Sequence, residues 1–531
     1  MKRLEKPNWQ KKQEKQKKMR IIVLCAVLLV TLLVGAGVFW KNFAPDWINS
    51  ASEANNEYKG NTIFVKAGGD FQAALNRAKA GDTIILQAGA KFVGAFTLPN
   101  KAGSEFITIQ SSELAKLPKD GVRVSPNDAA LMPKILSLGK GESAIKTASS
   151  AHHYRFAGIE FAPNNADYIY NLVALGTDDQ QETEIPHHIE FDHCYLHPNA
   201  NGKTRRGVAL NSAETVIKNS YIAGFAYREE ETQAIAGWNG SGKYKIINNY
   251  LEAGAENVLF GGADPSIKNL VPTDIEIRNN FITKPLDWRG KVTIKCGLEL
   301  KNARNVQITG NIIENSFDEM AIRFTVRNQG GKSPWSTIED VVMENNIVRN
   351  SGGGINFLGT DDTYPSQKMK RVRVVNNLFT DINVGSDQRF ILIADGEEIS
   401  VENNTVFNGG NAITAHGAPT KRFSFRGNIV SYNNYGFSGD NGVGKVVFPK
   451  YFSDGVVVEN LIINSKGIPK DEIYIPPRNF FAEDFSKVGF MNLQGGNYRL
   501  AANSKFKNKS VNGKDVGANI DAIEAETSKA K

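Results

Sequence analysis

The amino-acid sequence predicts an all-β chain that coils into a parallel β-helix, in which each turn of the coil adds one strand to each of a few long sheets. Three observations carry this prediction: a short motif that recurs along the chain, its nearly regular spacing, and polar turn residues at a fixed offset from each strand. The 531 residues, of which 41% are hydrophobic, are ample for the long core that such a coil needs.

The motif is an alternating strand followed by a polar turn, apolar-x-apolar-x-Asn-Asn-apolar, as in IEIRNNFI and VVMENNIV. The position of its second asparagine recurs at intervals of 24 to 35 residues, at Cys194, Ser220, Asn249, Asn280, Asn311, Asn346, Asn377, Asn404, Asn428 and Asn460. Propeller blades have comparable periods but are punctuated by antiparallel hairpins. Repeats that bury an apolar face only by stacking on the next repeat are typical of a single-stranded parallel β-helix.

The repeated asparagines are predicted to be structural. Side-chain amides at equivalent turn positions can hydrogen-bond along the stack as a ladder. Cys194 and Cys296 fall where the pattern requires small buried residues, so two free thiols in the core are expected.

The N-terminal region is predicted to anchor the chain in a membrane. Residues 1–20 form a basic tail whose excess of lysine and arginine equals the +7 of the whole chain, so the remainder is nearly neutral and nucleic-acid binding is excluded. Residues 21–40 are an uncharged apolar run that suits a transmembrane helix better than a cleaved signal peptide. The positive-inside rule places the tail in the cytoplasm and the rest, from the linker 41–60 onward, in the periplasm or at the cell surface.

The β-helix is predicted to occupy residues 61–465. The segment DFQAALNRAKA is typical of an amphipathic helix with Phe71, Leu75 and Ala78 on one side, which would cover the N-terminal end of the coil. Residues 466–531 lose the repeat, and we expect them to form a tail packed on the β-helix.

The segment GDTIILQAGAKFVGAFTL, after this helix, resembles the opening of the chondroitinase B and alginate lyase family, within the pectin-lyase-like group of parallel β-helix proteins. The resemblance in fold covers residues 61–465 and rests on the turn at Gly81 and Asp82, the capping helix and the asparagine repeats. It implies a right-handed coil and action on acidic polysaccharides. The Leu-Arg-His-Gly and Lys-Ser motifs around the catalytic pair of that family are not found, so no catalytic residue carries over.

A row of charged residues is predicted on one face of the coil. The strands NVLFGG, LELKN, IRFTVRN, INFLG and ITAHG align with their aliphatic residues pointing inward. Because side chains alternate along a strand, the residues between them form an outward column, namely Leu259, Glu299, Arg323, Asn356 and Thr414. A second column follows two residues later, namely Gly261, Lys301, Thr325, Leu358 and His416. Neighbouring coils lie about 4.8 Å apart, so Glu299, Lys301 and Arg323 are expected within reach of one another, with Arg327 extending the row.

Aromatic residues in long loops are predicted to bind substrate beside this row. The longest interval inserts the loop NQGGKSPWSTIED, which carries Trp335, and earlier coils supply Trp288 and Trp238. Loops longer than the frame requires usually carry function, and indole rings stack well on sugars. Together with Asn356, these three tryptophans are the expected substrate-binding residues.

A calcium ion is the one cofactor considered. Asp361 and Asp362 could hold a hard cation through oxygen ligands, although adjacent acids at a turn more often bond local backbone amides. We recognise no spacing of metal ligands elsewhere in the sequence.

Several chemistries use the same charged residues. Elimination of a glycosidic bond next to a uronic acid needs a cation on the sugar carboxylate, for which Arg323 and Arg327 are candidates, and a base, for which Lys301 is the candidate. Glu299 works against this, because a nearby carboxylate favours the charged form of the lysine. Hydrolysis would instead pair Glu299 with a second carboxylate such as Asp361.

Two roles without chemistry also remain. A glycan-binding surface protein would use the same side chains to hold sugar, and a cross-strand ladder of charges would need no ligand at all. The sequence favours a membrane-anchored lyase that acts on an acidic polysaccharide, with Lys301, Arg323, Glu299 and Arg327 as catalytic residues.

Overall fold

The structure is a computed structural model that describes residues 60–176, 179–200, 202–317, 319–385 and 387–531. The predicted basic tail, the apolar run and all but the last residue of the linker lie outside the described residues. Within the described ranges, no helix is long and apolar enough to cross a bilayer. Residues Thr62–Lys531 form one compact unit.

The prediction of a parallel β-helix is confirmed, because the chain visits three long sheets in turn and adds one strand to each per coil. Sheet A contains Thr62–Val65, Thr83–Leu86, Ile107–Ser111, His152–Ala157, His187–Asp192, Ala213–Lys218, Gly242–Ile247, Thr273–Arg278, Ala303–Thr309, Ile338–Glu344, Lys370–Val375, Glu397–Glu402, Ser424–Arg426 and Val456–Val458. Sheet B contains Lys91–Val93, Lys134–Ser137, Glu160–Pro163, Tyr195–Leu196, Tyr221–Phe225, Tyr250–Ala253, Phe281–Thr283, Ile312–Glu314, Ile347–Arg349, Leu378–Ile382, Thr405–Asn408, Ile429–Ser431, Leu461–Ile463 and Phe480–Ala482.

Sheet C contains Phe96–Leu98, Ile145–Thr147, Tyr168–Leu175, Lys203–Leu210, Gln233–Gly237, Glu256–Phe260, Cys296–Leu300, Met320–Thr325, Gly353–Leu358, Ile391–Ala394, Ile413–Ala415, Phe437–Gly439 and Gly442–Val443. The last of these pairs antiparallel, whereas the other described pairings in the three sheets are parallel. A separate antiparallel hairpin joins Phe490–Asn492 and Asn497–Leu500.

Helices are few and short in the part of the chain that the structure describes. The α-helices are Phe71–Arg77, Val447–Tyr451 and Ile520–Thr527. The 3-10 helices are Leu114–Lys116, Pro126–Leu131, Glu182–Glu184, Leu286–Trp288, Gly444–Val446, Lys470–Glu472, Phe485–Lys487, Val511–Gly513 and Ser528–Ala530.

The asparagine ladder is confirmed at the turn between sheets A and B. The backbone N–H of each ladder residue donates to the side-chain oxygen of the next ladder residue at 2.9 or 3.0 Å, and the last of these bonds joins Asn460 to Asn479. The ladder runs through Ser220, Asn249, Asn280, Asn311, Asn346, Asn377, Asn404, Asn428, Asn460 and Asn479. The residue before each ladder position is often an asparagine with left-handed backbone, such as Asn248 at φ 54° and Asn345 at φ 55°. Asparagine tolerates that conformation, so the Asn-Asn pair turns the chain and ties the coils together.

The ends of the coil are covered by other segments. In the first helix, Phe71 packs on Phe92 and Phe96, the aromatic residues of the first strands of sheets B and C, which confirms the predicted cap. The strand Thr62–Val65 precedes that helix. Parallel stacking continues past residue 465 to Phe480–Ala482. Ile520 and Ile523, in the last helix, pack on Leu378 of sheet B.

The core is a continuous column of aliphatic and aromatic side chains inside the coil. Leu298 and Leu300 are fully buried, and so are the apolar residues at their cross-strand positions. Cys194 and Cys296 are buried free thiols, as predicted. Burial raises the pKa of both thiols, which keeps them protonated.

Candidate functional site

The candidate site is the outer side of sheet C from the strand Tyr168–Leu175 to the strand Gly353–Leu358, which we call the sheet C face. Loops from sheet B enter at one end of these strands, and loops to sheet A leave at the other. The face therefore lies between two rows of loops, of which 284–295 and 326–337 are among the longest.

The predicted outward column is confirmed in register. Leu259 pairs with Glu299, Glu299 with Arg323, and Arg323 with Asn356. Thr414, however, is not the next member, because Asn356 pairs with Leu392 in the strand Ile391–Ala394. The alignment of strands in the sequence omits that strand, although its coil carries the repeat asparagines Asn376 and Asn377.

The predicted charged residues are more buried than an outer face suggests. Glu299 is 2% exposed and Lys301 is 9% exposed. Glu299 accepts a hydrogen bond from the Thr325 hydroxyl at 3.1 Å, and its other oxygen lies 3.9 Å from Lys301 Nζ. These side chains are thus held inside a charged cluster rather than in open solvent.

Lys295, which the sequence pattern does not predict, is the centre of this cluster. Its Nζ lies 2.8 Å from Glu256 Oε1, 3.1 Å from Glu299 Oε2 and 3.5 Å from Glu231 Oε1. Gln233 donates to the second oxygen of Glu256 at 2.8 Å. Lys295 immediately precedes the strand Cys296–Leu300, so its position could not be assigned by strand alternation.

The pKa shifts in the cluster follow from burial and ion pairing. Burial alone would lower the pKa of Lys295, but Glu256 and Glu299 raise it well above its ordinary value. Burial alone would raise the pKa of Glu256, but Lys295 and Gln233 hold it below its ordinary range. For Glu299, burial outweighs Lys301 and Lys295 and raises the pKa. Lys295 is therefore a fixed ammonium, and Glu299 is the carboxylate that takes up a proton more readily.

A second group of residues lies on earlier strands of the same face. The guanidinium of Arg206 lies 4.8 Å from the ring centroids of both Tyr170 and Trp238. Arg205 donates to the Tyr170 hydroxyl oxygen at 2.8 Å. Burial alone would raise the pKa of Tyr170, but Arg206 and Arg205 lower it. Tyr170 is 43% exposed, so a phenol with a lowered pKa meets solvent beside two arginines.

Several buried polar atoms on the sheet C face have no hydrogen-bond partner. Among the described residues these atoms include Nε of Arg206, Oε1 of Gln233 and Nε of Arg323. Buried groups of this kind are rare in folded proteins, and they often mark the place of a bound water molecule or ion. The face thus offers unused donors and an acceptor to a polar molecule.

The other charged residues of the sequence prediction lie at the edges of the face. Arg323 forms an ion pair with Glu319, which precedes its strand. Arg327 forms an ion pair with Asp362. Asp361 accepts hydrogen bonds from the backbone N–H groups of Asn328, Thr363 and Tyr364, at 2.7 to 2.9 Å. Both acids have local partners, as adjacent acids at a turn commonly do, and a calcium ion at this turn stays a prediction.

The predicted tryptophans are separated along the strands. Trp238 contacts the face through Arg206. Trp288 lies in a loop that enters the face, and Trp335 lies in a loop that leaves it. The indole N–H of Trp335 donates to the backbone oxygen of Leu270 at 3.1 Å, and Asp264 binds backbone N–H groups of the same loop. Trp288 and Trp335 are therefore at opposite ends of the strands, and Asn356 is half-exposed between the loop rows.

No protein-family model and no curated protein sequence matches the chain. Solved structures do match in fold. An alginate lyase from Paenibacillus sp. str. FPU-7 shares 15% identity with a TM-score of 0.34, covering 71% of this chain and 97% of that one. A PL6 family alginate lyase shares 14% identity with a TM-score of 0.45, covering 80% of this chain and 51% of that one, so the match spans about half of that enzyme.

A GH87 alpha-1,3-glucanase from Streptomyces thermodiastaticus strain HF3-3 shares 14% identity with a TM-score of 0.46. The match covers 72% of this chain and 67% of the glucanase. The matched proteins include lyases and a hydrolase, and at such values a likeness assigns no activity.

Proposed function

We propose that the sheet C face binds an acidic polysaccharide and cleaves it by β-elimination. The observation that carries this proposal is the set of cationic side chains on one face, two of which, Arg206 and Arg323, have a buried Nε without a hydrogen-bond partner. A uronate carboxylate can accept hydrogen bonds from guanidinium groups, usually in pairs. Neutralising that carboxylate acidifies the proton on the adjacent ring carbon.

Lys301 is the proposed base and Arg323 the proposed carboxylate ligand. Lys301 has one ion-pair contact, at 3.9 Å, whereas Lys295 is held by three carboxylates. Lys295 contacts Glu299 at the shorter distance of 3.1 Å, so Glu299 has a cationic partner besides Lys301. The base takes the proton next to the carboxylate, and a carbon–carbon double bond forms as the glycosidic carbon–oxygen bond breaks. The departing oxygen keeps the electron pair of that bond and takes up a proton from the protonated base or from water.

Tyr170 is a second candidate for the base of the same reaction. Its pKa is lowered by Arg206 and Arg205, which could also hold a uronate carboxylate. Tyr170 is more exposed than Lys301, and a phenolate is competent to abstract a proton. The two candidates lie on strands several coils apart, so they define two positions along one groove.

A hydrolase that uses carboxylates of this face is less well supported. Glu256 and Glu299 are close enough for a pair, but Lys295 lies between them, at 2.8 and 3.1 Å, and both carboxylates are buried. Hydrolysis needs a glycosidic bond between its two carboxyl groups. Asp361, the partner predicted for Glu299, bonds backbone amides instead.

The test is a screen of the full-length, detergent-solubilised protein against a series of uronate-containing polymers. Ultraviolet absorbance from unsaturated ends and the release of reducing ends are followed in parallel. Both signals together support the lyase, reducing ends alone support a hydrolase, and binding without either signal supports a glycan binder. A neutral glucan serves as the matched control substrate.

We also propose that residues 21–40 anchor the β-helix outside the cytoplasm. Support comes from the uncharged length of that run and the basic residues that precede it. Protease added to intact cells should then digest the β-helix. Digestion limited to the N-terminal tail would instead show the opposite orientation.

A further inference from the structure

Four histidines form a cluster at the start of two consecutive strands of sheet A. His152 and His153 begin the strand His152–Ala157, and His187 and His188 begin the strand His187–Asp192, with His187 paired to His152 in register. The rings of His152 and His187 stack with centroids 4.9 Å apart, and those of His153 and His188 stack 4.4 Å apart. Stacking of the coils therefore brings together four imidazoles that are distant in sequence.

The ring nitrogens converge closely. Nδ1 of His187 lies 2.7 Å from Nδ1 of His188, and the same distance separates Nδ1 of His152 from Nδ1 of His153. His153, His187 and His188 each offer one nitrogen, and these three atoms lie within 4.8 Å of one another. Nitrogens bound tetrahedrally to zinc at about 2.0–2.1 Å are roughly 3.3 Å apart, so small ring rotations would place all three on one ion.

The surroundings of the cluster suit a cation that arrives from solvent. The four rings are half-buried, neither sealed in the core nor fully exposed. Glu214, on the next coil, lies 2.5 Å from Nε2 of His188. A carboxylate on the second ring nitrogen is the usual means of orienting a metal-bound histidine.

A stack of rings without a metal is the alternative arrangement. In each histidine pair one ring must donate and the other accept, so the 2.7 Å contacts satisfy one nitrogen of each ring. What favours a metal site over a simple stack is the combination of three ring nitrogens within 4.8 Å of one another and a carboxylate, that of Glu214, on the second nitrogen of His188.

We propose that His153, His187 and His188 bind a divalent transition-metal ion of the zinc type, with Glu214 orienting His188. Imidazole nitrogen selects such ions over calcium and magnesium, which prefer oxygen. The ligands come from two successive coils, so the ion would clamp the strands His152–Ala157 and His187–Asp192 together. The site is on sheet A and is independent of the function proposed for the sheet C face.

The experiment measures zinc binding to the full-length, detergent-solubilised protein, prepared without a histidine tag and freed of metal. Isothermal titration with zinc sulfate should show one ion per chain, and X-ray absorption of the zinc-loaded protein should show about three imidazole ligands. Calcium chloride, titrated in parallel, should give no binding. Absence of stoichiometric zinc binding would overturn the proposal.

Two variants locate the site. His153→Asn and His188→Asn suit the left-handed backbone at these positions, where φ is 58° and 52°, and each should weaken zinc binding by at least about a hundredfold. His416→Asn, on a distant coil, is the matched control and should bind as the parent does. Circular dichroism confirms that each variant is folded. Unchanged zinc affinity in folded His153→Asn and His188→Asn would overturn the assignment.

Discussion

The ammonium group of Lys295 lies 2.8 Å from the carboxylate of Glu256, a side chain that is fully buried. The same ammonium contacts Glu299 at 3.1 Å, so a single cation balances two buried anions on adjacent strands. The charged side chains of the sheet C face therefore fall into two groups, one with a structural role and one available to a ligand. Lys295 and Glu256 hold the strands together, whereas Lys301, Arg323 and the arginines beside Tyr170 have contacts that a ligand could replace.

The first prediction concerns this buried ion pair. Lys295→Met leaves two carboxylates without their cation, and breaking a buried pair in this way costs about 3–5 kcal/mol of unfolding free energy. Urea denaturation of the variant should show that loss. Lys291→Met is the control, because the Lys291 side chain is 68% exposed and its loss should leave the denaturation midpoint unchanged. Equal midpoints for the two variants would contradict the structural role of Lys295.

The second prediction concerns the asparagine ladder. The Asn346 amide donates to the backbone oxygen of Ile308 at 2.8 Å and to Asn377 at 2.9 Å, and its oxygen accepts from the Asn311 N–H at 2.9 Å. Asn346→Ala leaves these buried groups without partners, at about 1–3 kcal/mol for each unsatisfied group. Chemical denaturation should show a much larger loss of stability for Asn346→Ala than for Gln307→Ala, which removes an exposed amide from the strand Ala303–Thr309.

The third prediction concerns pH and His193. Burial alone would lower the pKa of His193, but its contact with Asp192, at 2.6 Å, raises it above the ordinary value. A folded-state pKa above the unfolded one gives stability that is complete below about pH 6.5 and is lost as pH rises through the folded value. Denaturation midpoints should be measured between pH 5.5 and 8.5, roughly the range where histidine titrates. As pH rises, the midpoint should decrease more for the parent than for His193→Asn.

The parent and His193→Asn must be compared with each other, because other histidines also change stability with pH. His153 and His187 have lowered pKa values, so their contribution to stability increases as pH rises, opposite to that of His193. Asparagine suits position 193, where φ is 51° and the equivalent residues of most later coils are asparagines. Parallel pH profiles for the parent and His193→Asn would show that the Asp192 contact contributes nothing.

The fold was predictable from the sequence because the β-helix repeats its local rules. Each Asn-Asn turn marks one coil, and the residues around it alternate inward and outward, so the pairing of Glu299 with Arg323 follows from counting. The strand Ile391–Ala394 escapes prediction although Asn376 and Asn377 mark its coil, because the asparagine turn lies between sheets A and B and does not fix where the sheet C strand begins.

The site was less predictable, because much of it lies outside the alternating strands. Lys295 precedes its strand, and Tyr170 meets Arg205 and Arg206 across a coil that carries no asparagine repeat. The histidine cluster did leave a signal, namely two His-His pairs at the start of equivalent strands, but its meaning depends on stacking of the coils. Burial of Glu299 also required the neighbouring coils, since alternation gives direction and says nothing of what covers a residue.

The fourth prediction separates the two candidate bases on any polymer that the parent cleaves. Lys301→Arg keeps the positive charge beside Glu299 but replaces the proposed base with a guanidinium, which stays protonated, so turnover should fall by at least about a hundredfold if Lys301 is the base. Arg323→Lys keeps charge but loses two-point binding of a carboxylate, and should mainly raise KM. Tyr170→Phe keeps the ring under Arg206 and removes only the hydroxyl, so this variant should retain turnover if Lys301 is the base.

The reverse result, a loss of turnover with Tyr170→Phe and not with Lys301→Arg, would identify Tyr170 as the base. Full activity in all three variants, each with an unchanged melting temperature, would place the chemistry away from the sheet C face.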